Sequence, residues 1–252
     1  MPTSLTFTFE PTQDISFPPY PGRALHALFY QWLGVGDYAT AITVHADNGV
    51  RPFTVSPLYK QDGRLTLRFT LLDDALWPPL AAGIAKISDI AVLGQSLSLA
   101  EGAPEVLPCT YAALAAASSA ARRIRLRFCS PTSFRSREMH YPLPDPLLVY
   151  QSWLARWNAF APAAEQINIA LLDVVAEHVA LGRYDLRTEL VDLGKNRKMV
   201  GFVGIVQFNV LHAGKVGEAW VRKLNLLADY ALYCGTGHKT AQGMGQTRRL
   251  SH

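Results

Sequence analysis

The spacing of hydrophobic residues in the first half of the chain predicts a succession of strands and helices. Residues 5–9 alternate between apolar and polar side chains, which is typical of a half-buried strand. Apolar residues in 25–33 recur at helical spacing, and Gly34 and Gly36 predict the end of that helix. The other elements predicted for this half are strands at 53–59 and 65–72, a short helix from 73 to 82, and strands at 87–99 and 106–111.

The same order of elements begins again after the alanine- and serine-rich segment 112–121, which predicts a linker. Residues 124–128 alternate between arginines and apolar side chains, as in a strand. The elements predicted after it are a helix over 147–157, a strand pair at 183–193 and 200–211, a helix over 216–232, and a glycine-rich segment at 235–245. Each half is therefore an α+β unit in β-α-β-β-α-β order, and we place the two domains at 1–118 and 119–252.

Composition narrows the class of protein. The chain has 252 residues, of which 49% are hydrophobic and 17% charged, so it can form a substantial core and is not intrinsically disordered. Three cysteines exclude a disulfide framework and favour a reducing compartment. Since the sequence contains neither a membrane-spanning run nor a secretory signal pattern, we expect a cytoplasmic protein without a membrane partner.

The positive charges are concentrated in the second half. The net charge is only +4, but four clusters of basic residues lack matching acidic runs, which favours a surface that binds polyanions. Any one cluster alone is typical of a solvated face. The clusters are Arg122, Arg123, Arg125 and Arg127; Arg135 and Arg137; Arg183, Arg187, Lys195, Arg197 and Lys198; and Lys239, Arg248 and Arg249.

The glycine-rich segment 235–245 is the sharpest local motif. Glycines at this density let the backbone approach a ligand, and exposed N–H groups beside His238 and Lys239 could cradle phosphate oxygens. The order of residues matches neither a Walker A loop nor a dinucleotide fingerprint. A glycine-rich turn that merely packs against a sheet is an equally open interpretation at this point.

Histidines are the best candidates for chemistry. His45 lies in a predicted polar loop near Asp47 and Arg51, which suits acid–base catalysis near neutral pH. His26 lies on the first helix, one turn from Tyr30. No cysteine, histidine or carboxylate spacing predicts a metal site, and no nucleophile elbow predicts acyl transfer. What remains is metal-free chemistry on a phosphodiester, carried out by histidine and cationic side chains.

Residues 228–245, from Ala228-Asp229-Tyr230 through the glycine-rich segment, resemble the C-terminal signature of the CRISPR-associated endoribonucleases that process repeat RNA. Three other stretches resemble the same family, and all four occur in the family's order across nearly the whole chain. These stretches are Ser130-Pro131-Thr132-Ser133-Phe134-Arg135 with His140-Tyr141-Pro142, Val200-Gly201-Phe202-Val203-Gly204, and His45 through Leu58. The resemblance implies two tandem ferredoxin-like domains.

The resemblance also implies a reaction. In this family a long CRISPR transcript is cut within each repeat when a ribose 2′-OH attacks the adjacent phosphate, leaving a 2′,3′-cyclic phosphate without a metal or cofactor. His45 matches the family's catalytic histidine, and His26 or Tyr30 would be its partner. The residues implied to bind RNA are Arg23, Arg135, Arg137, Lys195, Arg197, Lys198, Gly235, Gly237, His238, Lys239, Gly243 and Gly245.

Two alternatives stay open on the sequence. A non-catalytic RNA-binding subunit of a CRISPR ribonucleoprotein complex would share the glycine-rich loop, although a histidine at position 45 favours the enzyme. A metabolic enzyme that uses the loop for a mononucleotide is the other alternative. RNA is the expected partner, and association with an effector complex or with a second copy of the chain is left open.

Overall fold

The chain folds into two compact units. The structure, a computed structural model, describes residues 1–11, 17–18, 20–87, 90–102, 104–136, 138–194 and 197–250. The first unit comprises Met1–Pro108 with Ala241–Gly243, and the second comprises Cys109–Thr240 with Met244–His252. A short piece of the glycine-rich segment therefore belongs to the first unit. None of the described helices is both long and apolar enough to span a bilayer.

The first unit is built around one antiparallel sheet. Its elements are β1 Thr3–Pro11, α1 Gly22–Gly36, α2 Tyr38–Ala46, β2 Phe53–Val55, β3 Tyr59–Gln61, β4 Arg64–Leu71, a 3₁₀ turn Asp74–Leu76, α3 Trp77–Ile84, β5 Ile90–Val92, β6 Gln95–Leu99 and β7 Glu105–Pro108. The strand order is β2-β4-β1-β6-β5, with β3 also paired to β4 and β7 to β1.

Helix α1 packs on the centre of this sheet. The side chains of Leu5, Phe7 and Phe9 alternate toward the core and are buried, as the sequence pattern predicts. The Phe7 ring lies 4.9 Å from Trp32 of α1 and 5.4 Å from Phe69 of β4. This packing fixes α1, so the polar face of the helix is held in a defined position.

Two of the predicted strands are divided in the structure. The run 53–59 contains β2 and reaches only the first residue of β3, and both strands pair with β4. The run 87–99 contains the hairpin β5–β6, which turns at Leu93 and Gly94, both with positive φ. The hydrophobic pattern does not predict this turn, because leucine at position 93 is not a typical turn residue.

The second unit is a four-stranded sheet in its described part. Its elements are α4 Tyr111–Ala117, β8 Arg123–Thr132, β9 Phe134–Ser136, β10 Met139–Tyr141, α5 Pro146–Phe160, a 3₁₀ turn Ala163–Glu165, α6 Leu171–His178, β11 Val179–Asp192, β12 Lys198–Val210, α7 Ala213–Val216, α8 Glu218–Cys234, a 3₁₀ turn Thr240–Gln242 and β13 Thr247–Arg249. The strand order is β11-β12-β8-β13, and β9 and β10 form a separate hairpin.

The linker predicted at 112–121 is wrong for most of its length, because α4 occupies it. Alanine is the best helix former, and the Thr110 hydroxyl caps the helix by accepting the Ala113 N–H at 2.9 Å. Tyr111 is buried against Trp157 and Tyr230, with ring centroids 5.0 and 5.9 Å away. Tertiary packing therefore anchors a segment whose composition resembles a linker.

Candidate functional site

His45 lies in the last turn of α2 and is exposed. The predicted polar loop at this position is therefore wrong. Asp37 starts the helix, since its carboxylate accepts the N–H groups of Ala39 and Thr40 at 3.0 and 3.2 Å. The hydrogen bond from the Thr40 hydroxyl is the largest of the effects that lower the pKa of Asp37. A capped helix thus presents the imidazole to solvent.

The ring of Tyr30 contacts the rings of both His45 and His26. Its ring centroid lies 5.1 Å from that of His45 and 4.9 Å from that of His26. The two imidazoles are therefore no farther apart than these two distances combined. Burial raises the pKa of Tyr30, Arg51 opposes this effect and Asp47 adds to it, so the phenol stays protonated at neutral pH. Tyr30 donates a long hydrogen bond of 3.4 Å to the Val44 carbonyl.

The backbone of the first unit fixes the tautomer of His26. Its Nδ1 lies 2.9 Å from the carbonyl oxygen of Ala241. Because a carbonyl only accepts, Nδ1 carries a hydrogen, and Nε2 is the nitrogen that gains or loses the second proton. The ring also stacks on Phe53 at 5.7 Å with an interplanar angle of 25°. Sequence reasoning missed the Ala241 contact, since its partner is far away along the chain.

Two arginines flank these rings. The sequence places Arg51 near His45, and in the structure its Nη1 donates to the Val44 carbonyl at 2.6 Å, capping the end of α2. Arg23 is exposed in the first turn of α1, three residues before His26 and so on the same side of the helix. Arg51 holds the helix that carries His45, and Arg23 places a positive charge near His26.

The glycine-rich segment uses many of its backbone N–H groups within the second unit. The predicted cradle of exposed amides is therefore not formed by these groups, which already have protein acceptors. Within the segment, the amide of Thr236 donates to the Gly245 carbonyl, Gly237 to Ser152 Oγ, His238 to the Ser133 carbonyl, Met244 to the Lys239 carbonyl, and Gly245 to the Pro131 carbonyl. The next residue, Gln246, donates to Ser130 Oγ.

Close backbone packing explains the need for glycine in this segment. A Cβ at Gly245 would lie 2.0 Å from the Thr236 carbonyl oxygen, and one at Gly237 would lie 2.4 Å from that of Ser133. Both residues also have positive φ, 71° and 75°. Gly235 and Gly243 share the positive φ. The four predicted RNA-binding glycines therefore have a conformational role that is independent of any ligand.

Side chains of the segment join a cationic cluster. The rings of His238 and His140 lie 6.3 Å apart, and His140 pairs with Arg135 across the β9–β10 hairpin. Burial, with smaller contributions from Lys239, His140, Arg135 and Arg156, lowers the pKa of His238 from 6.5 to about 4. Sequence reasoning missed His140 as a member of this site, although the hairpin register would have placed it there.

The remaining predicted RNA-binding residues lie elsewhere. Arg197 and Lys198 are exposed at the tip of the β11–β12 hairpin. Arg137 and Lys195 lie outside the described residues. Among the residues that the structure describes, no group of three or more histidine, cysteine or carboxylate side chains could hold a metal ion.

Comparison with known proteins identifies the family. The profile of the CRISPR-associated endoribonuclease Cas6 matches residues 126–247, and the profile of the CRISPR Cas6 N-terminal domain matches residues 1–66. The two profiles match most of the chain in the family's order. The chain therefore belongs to the Cas6 family, and the predicted resemblance is confirmed.

Curated relatives match part of the chain. The CRISPR-associated endoribonuclease Cas6 of Streptococcus thermophilus is 30% identical over 118 residues, which is 47% of this chain and 46% of that protein. That of Mycobacterium tuberculosis (strain CDC 1551 / Oshkosh) is 26% identical over 127 residues, which is 50% of this chain and 38% of that protein. The aligned part thus spans less than half the length of each relative.

Solved structures match the whole chain. The product complex of Cas6 (TTHB231), a Thermus thermophilus protein, has a TM-score of 0.84 at 26% identity and covers 99% of this chain and 100% of that one. The product complex of Cas6 (TTHA0078) has a TM-score of 0.82 at 28% identity and covers 100% of both. These matches confirm the predicted α+β architecture of two tandem ferredoxin-like domains.

Proposed function

We propose that this protein is a metal-independent endoribonuclease that cuts CRISPR repeat RNA in precursor transcripts to release guide RNAs. Family membership supports the substrate class, since the curated relatives are named CRISPR-associated endoribonucleases. The observation that carries the proposal is the cluster of His26, Tyr30 and His45, in which two imidazoles contact the same phenol ring.

The reaction needs two proton transfers and no water nucleophile. One imidazole accepts the proton of the 2′-OH as its oxygen bonds to phosphorus. The other donates a proton to the 5′-oxygen as the P–O bond breaks, which leaves a 2′,3′-cyclic phosphate and a 5′-OH. His26 acts through Nε2, because Nδ1 is held by the Ala241 carbonyl. Arg23 is suited to stabilise the added negative charge at phosphorus.

The protonated phenol of Tyr30 serves as a hydrogen-bond donor beside the imidazoles, and is not a general base. The cluster of Arg135, His238 and Lys239 would hold phosphates of the repeat, since cations and hydrogen-bond donors position an RNA backbone. Arg197 and Lys198 would add contacts at the hairpin tip. The same role remains predicted for Arg137 and Lys195.

The test is cleavage of a repeat transcript in the presence of EDTA, with the product ends identified by mass spectrometry. We expect a 2′,3′-cyclic phosphate, and we expect His45→Asn to slow the reaction by about 10²-fold or more while leaving RNA affinity unchanged. His212→Asn is the matched control, because His212 is an exposed histidine on another element. A wild-type rate in His45→Asn would contradict the site.

A second substrate separates the two imidazoles. An RNA with sulfur in place of the scissile 5′-oxygen has a leaving group that needs no protonation, so it should rescue the variant that lacks the acid and not the one that lacks the base. We expect it to rescue only one of His26→Ala and His45→Ala. Equal rescue of both or of neither would refute the two-histidine mechanism. Wild-type protein that binds the repeat without cutting it would indicate the non-catalytic subunit.

A further inference from the structure

The open face of the second unit's sheet carries arginines. In β8 the side chains of Ile124, Leu126 and Phe128 are buried, whereas Arg123, Arg125 and Arg127 alternate with them and are exposed. Residues of a strand alternate between the two faces of its sheet, so these three arginines share the face opposite the core. The residues of the proposed cleavage site, His26, Tyr30, His45 and Arg23, do not lie on this face.

The strand register extends this arginine face to both neighbours of β8. Arg127 is paired with Arg248 on β13 and with Ile205 on β12. Arg125 is paired with Gln207 on β12, which in turn is paired with Arg183 on β11. The five arginines therefore occupy an area about 14 Å across the sheet and about 13 Å along β8. We call this set, Arg123, Arg125, Arg127, Arg183 and Arg248, the arginine face.

Folding does not account for this concentration of charge. Among the described residues, no side chain of the arginine face takes part in an ion pair or hydrogen bond, in contrast to Arg249, which pairs with Asp229 at 3.0 Å. Asp185 shares the face by register, but at the opposite edge of the sheet from Arg248. Arg127 lies directly opposite Arg248, and like charges in that position destabilise a sheet.

We propose that the arginine face binds single-stranded RNA. This inference rests on the proposed function, and the strand would be the part of the transcript that flanks the repeat. Successive arginines on β8 are about 7 Å apart, which suits successive phosphates of an extended strand. Gln207 and Asn209 lie between the arginine columns and offer amide groups to base edges. Guanidinium planes also stack on bases.

The test uses a fluorescent oligouridylate, which has no hairpin and contains no repeat sequence. Three phosphate contacts would contribute about 2 to the slope of log affinity against log salt. The triple variant Arg123→Gln, Arg125→Gln, Arg127→Gln should therefore lower that slope by about 2 and weaken binding about tenfold or more at low salt. Arg→Lys at the same positions should restore most of the slope. The single variant Arg125→Gln supplies the same measurement, with a third of the effect, if the triple variant fails to fold.

The matched control removes three cations from helices α7 and α8, as Lys215→Gln, Arg222→Gln, Lys223→Gln. We expect this control to keep the wild-type slope of log affinity against log salt. An equal decrease of the slope in both triple variants would overturn the proposal. Unchanged oligouridylate binding in the arginine-face variant would also overturn it, even if repeat RNA is cleaved normally. Conversely, a lowered slope in a protein that fails to cleave repeat RNA would refute the proposed function and leave the arginine face as an RNA-binding surface.

Discussion

His238 should make the stability of the protein depend on pH in a way that a single substitution removes. Burial, with nearby cations in addition, lowers the pKa of this imidazole from 6.5 to about 4. The folded state therefore binds the proton less well than the unfolded state. The stability contributed by the neutral ring is complete above pH 6.5 and is lost as the pH falls toward 4.

The magnitude follows from the two pKa values. The linkage relation between these two pKa values gives an upper limit of about 2 kcal/mol for the free energy of unfolding that is lost at about pH 5. His238 is only partly buried, so solvent screening reduces the expected loss to about 1 kcal/mol. His238→Gln has no proton to bind at this position, and every other titrating group is shared by the two proteins. The difference between them therefore isolates the one imidazole.

The assay is urea unfolding of wild type and His238→Gln at about pH 7.5 and about pH 5. We expect the wild type to lose about 1 kcal/mol more than the variant on acidification. An equal loss in wild type and His238→Gln would refute the reasoning, as would an NMR titration of the His238 ring with its midpoint near 6.5.

Two further predictions concern backbone conformation in the glycine-rich segment. Gly245→Ala should destabilise the protein by about 3 kcal/mol or more, since it adds a clash with the Thr236 carbonyl to the cost of a positive φ. The control is Gly63→Ala, since Gly63 also has a positive φ but an added Cβ would meet no atom within 4 Å. Urea unfolding should show that this control loses only about 1–2 kcal/mol of unfolding free energy. Equal losses in the two variants would contradict the proposed clash. Lys239→Gly should weaken RNA binding in a fluorescence assay without lowering the unfolding midpoint, because Lys239 has a φ of 58° that glycine adopts more easily. A lower midpoint would show that this side chain is structural.

Elements with a long, regular pattern could be predicted from the sequence. Strand β1 and helix α1 are identified by their periods because one face of each is buried in the core. Helices α2 and α4 could not be predicted this way. Each buries only one residue, Ala41 or Tyr111, and each begins at a side-chain cap. Short elements of this kind depend on capping and tertiary contacts, which leave almost no periodic signal.

The residue types of the candidate site were predictable, but their partners were not. His26, Tyr30 and His45 lie within one short stretch of sequence, and the structure brings their rings together. The carbonyl that accepts the orienting hydrogen bond from His26 belongs to Ala241, 215 positions later in the sequence. Likewise, glycine density at 235–245 left open both a cradle of exposed amides and a packed turn, and in the structure many of the amides are satisfied within the protein. Composition shows where the backbone has freedom, but not how that freedom is used.

Gly22 has no reactive group, but it allows the backbone contact that orients His26 for proton transfer. A Cβ at Gly22 would lie 1.8 Å from the carbonyl oxygen of Gln242, so only glycine allows the start of α1 to approach this part of the chain. Gln242 directly follows Ala241, whose carbonyl holds His26 Nδ1 one turn farther along α1. The tautomer of His26 therefore depends on a close backbone contact at Gly22. Residues that orient a proton donor or acceptor in this way are selected for the space they leave rather than for a group they provide.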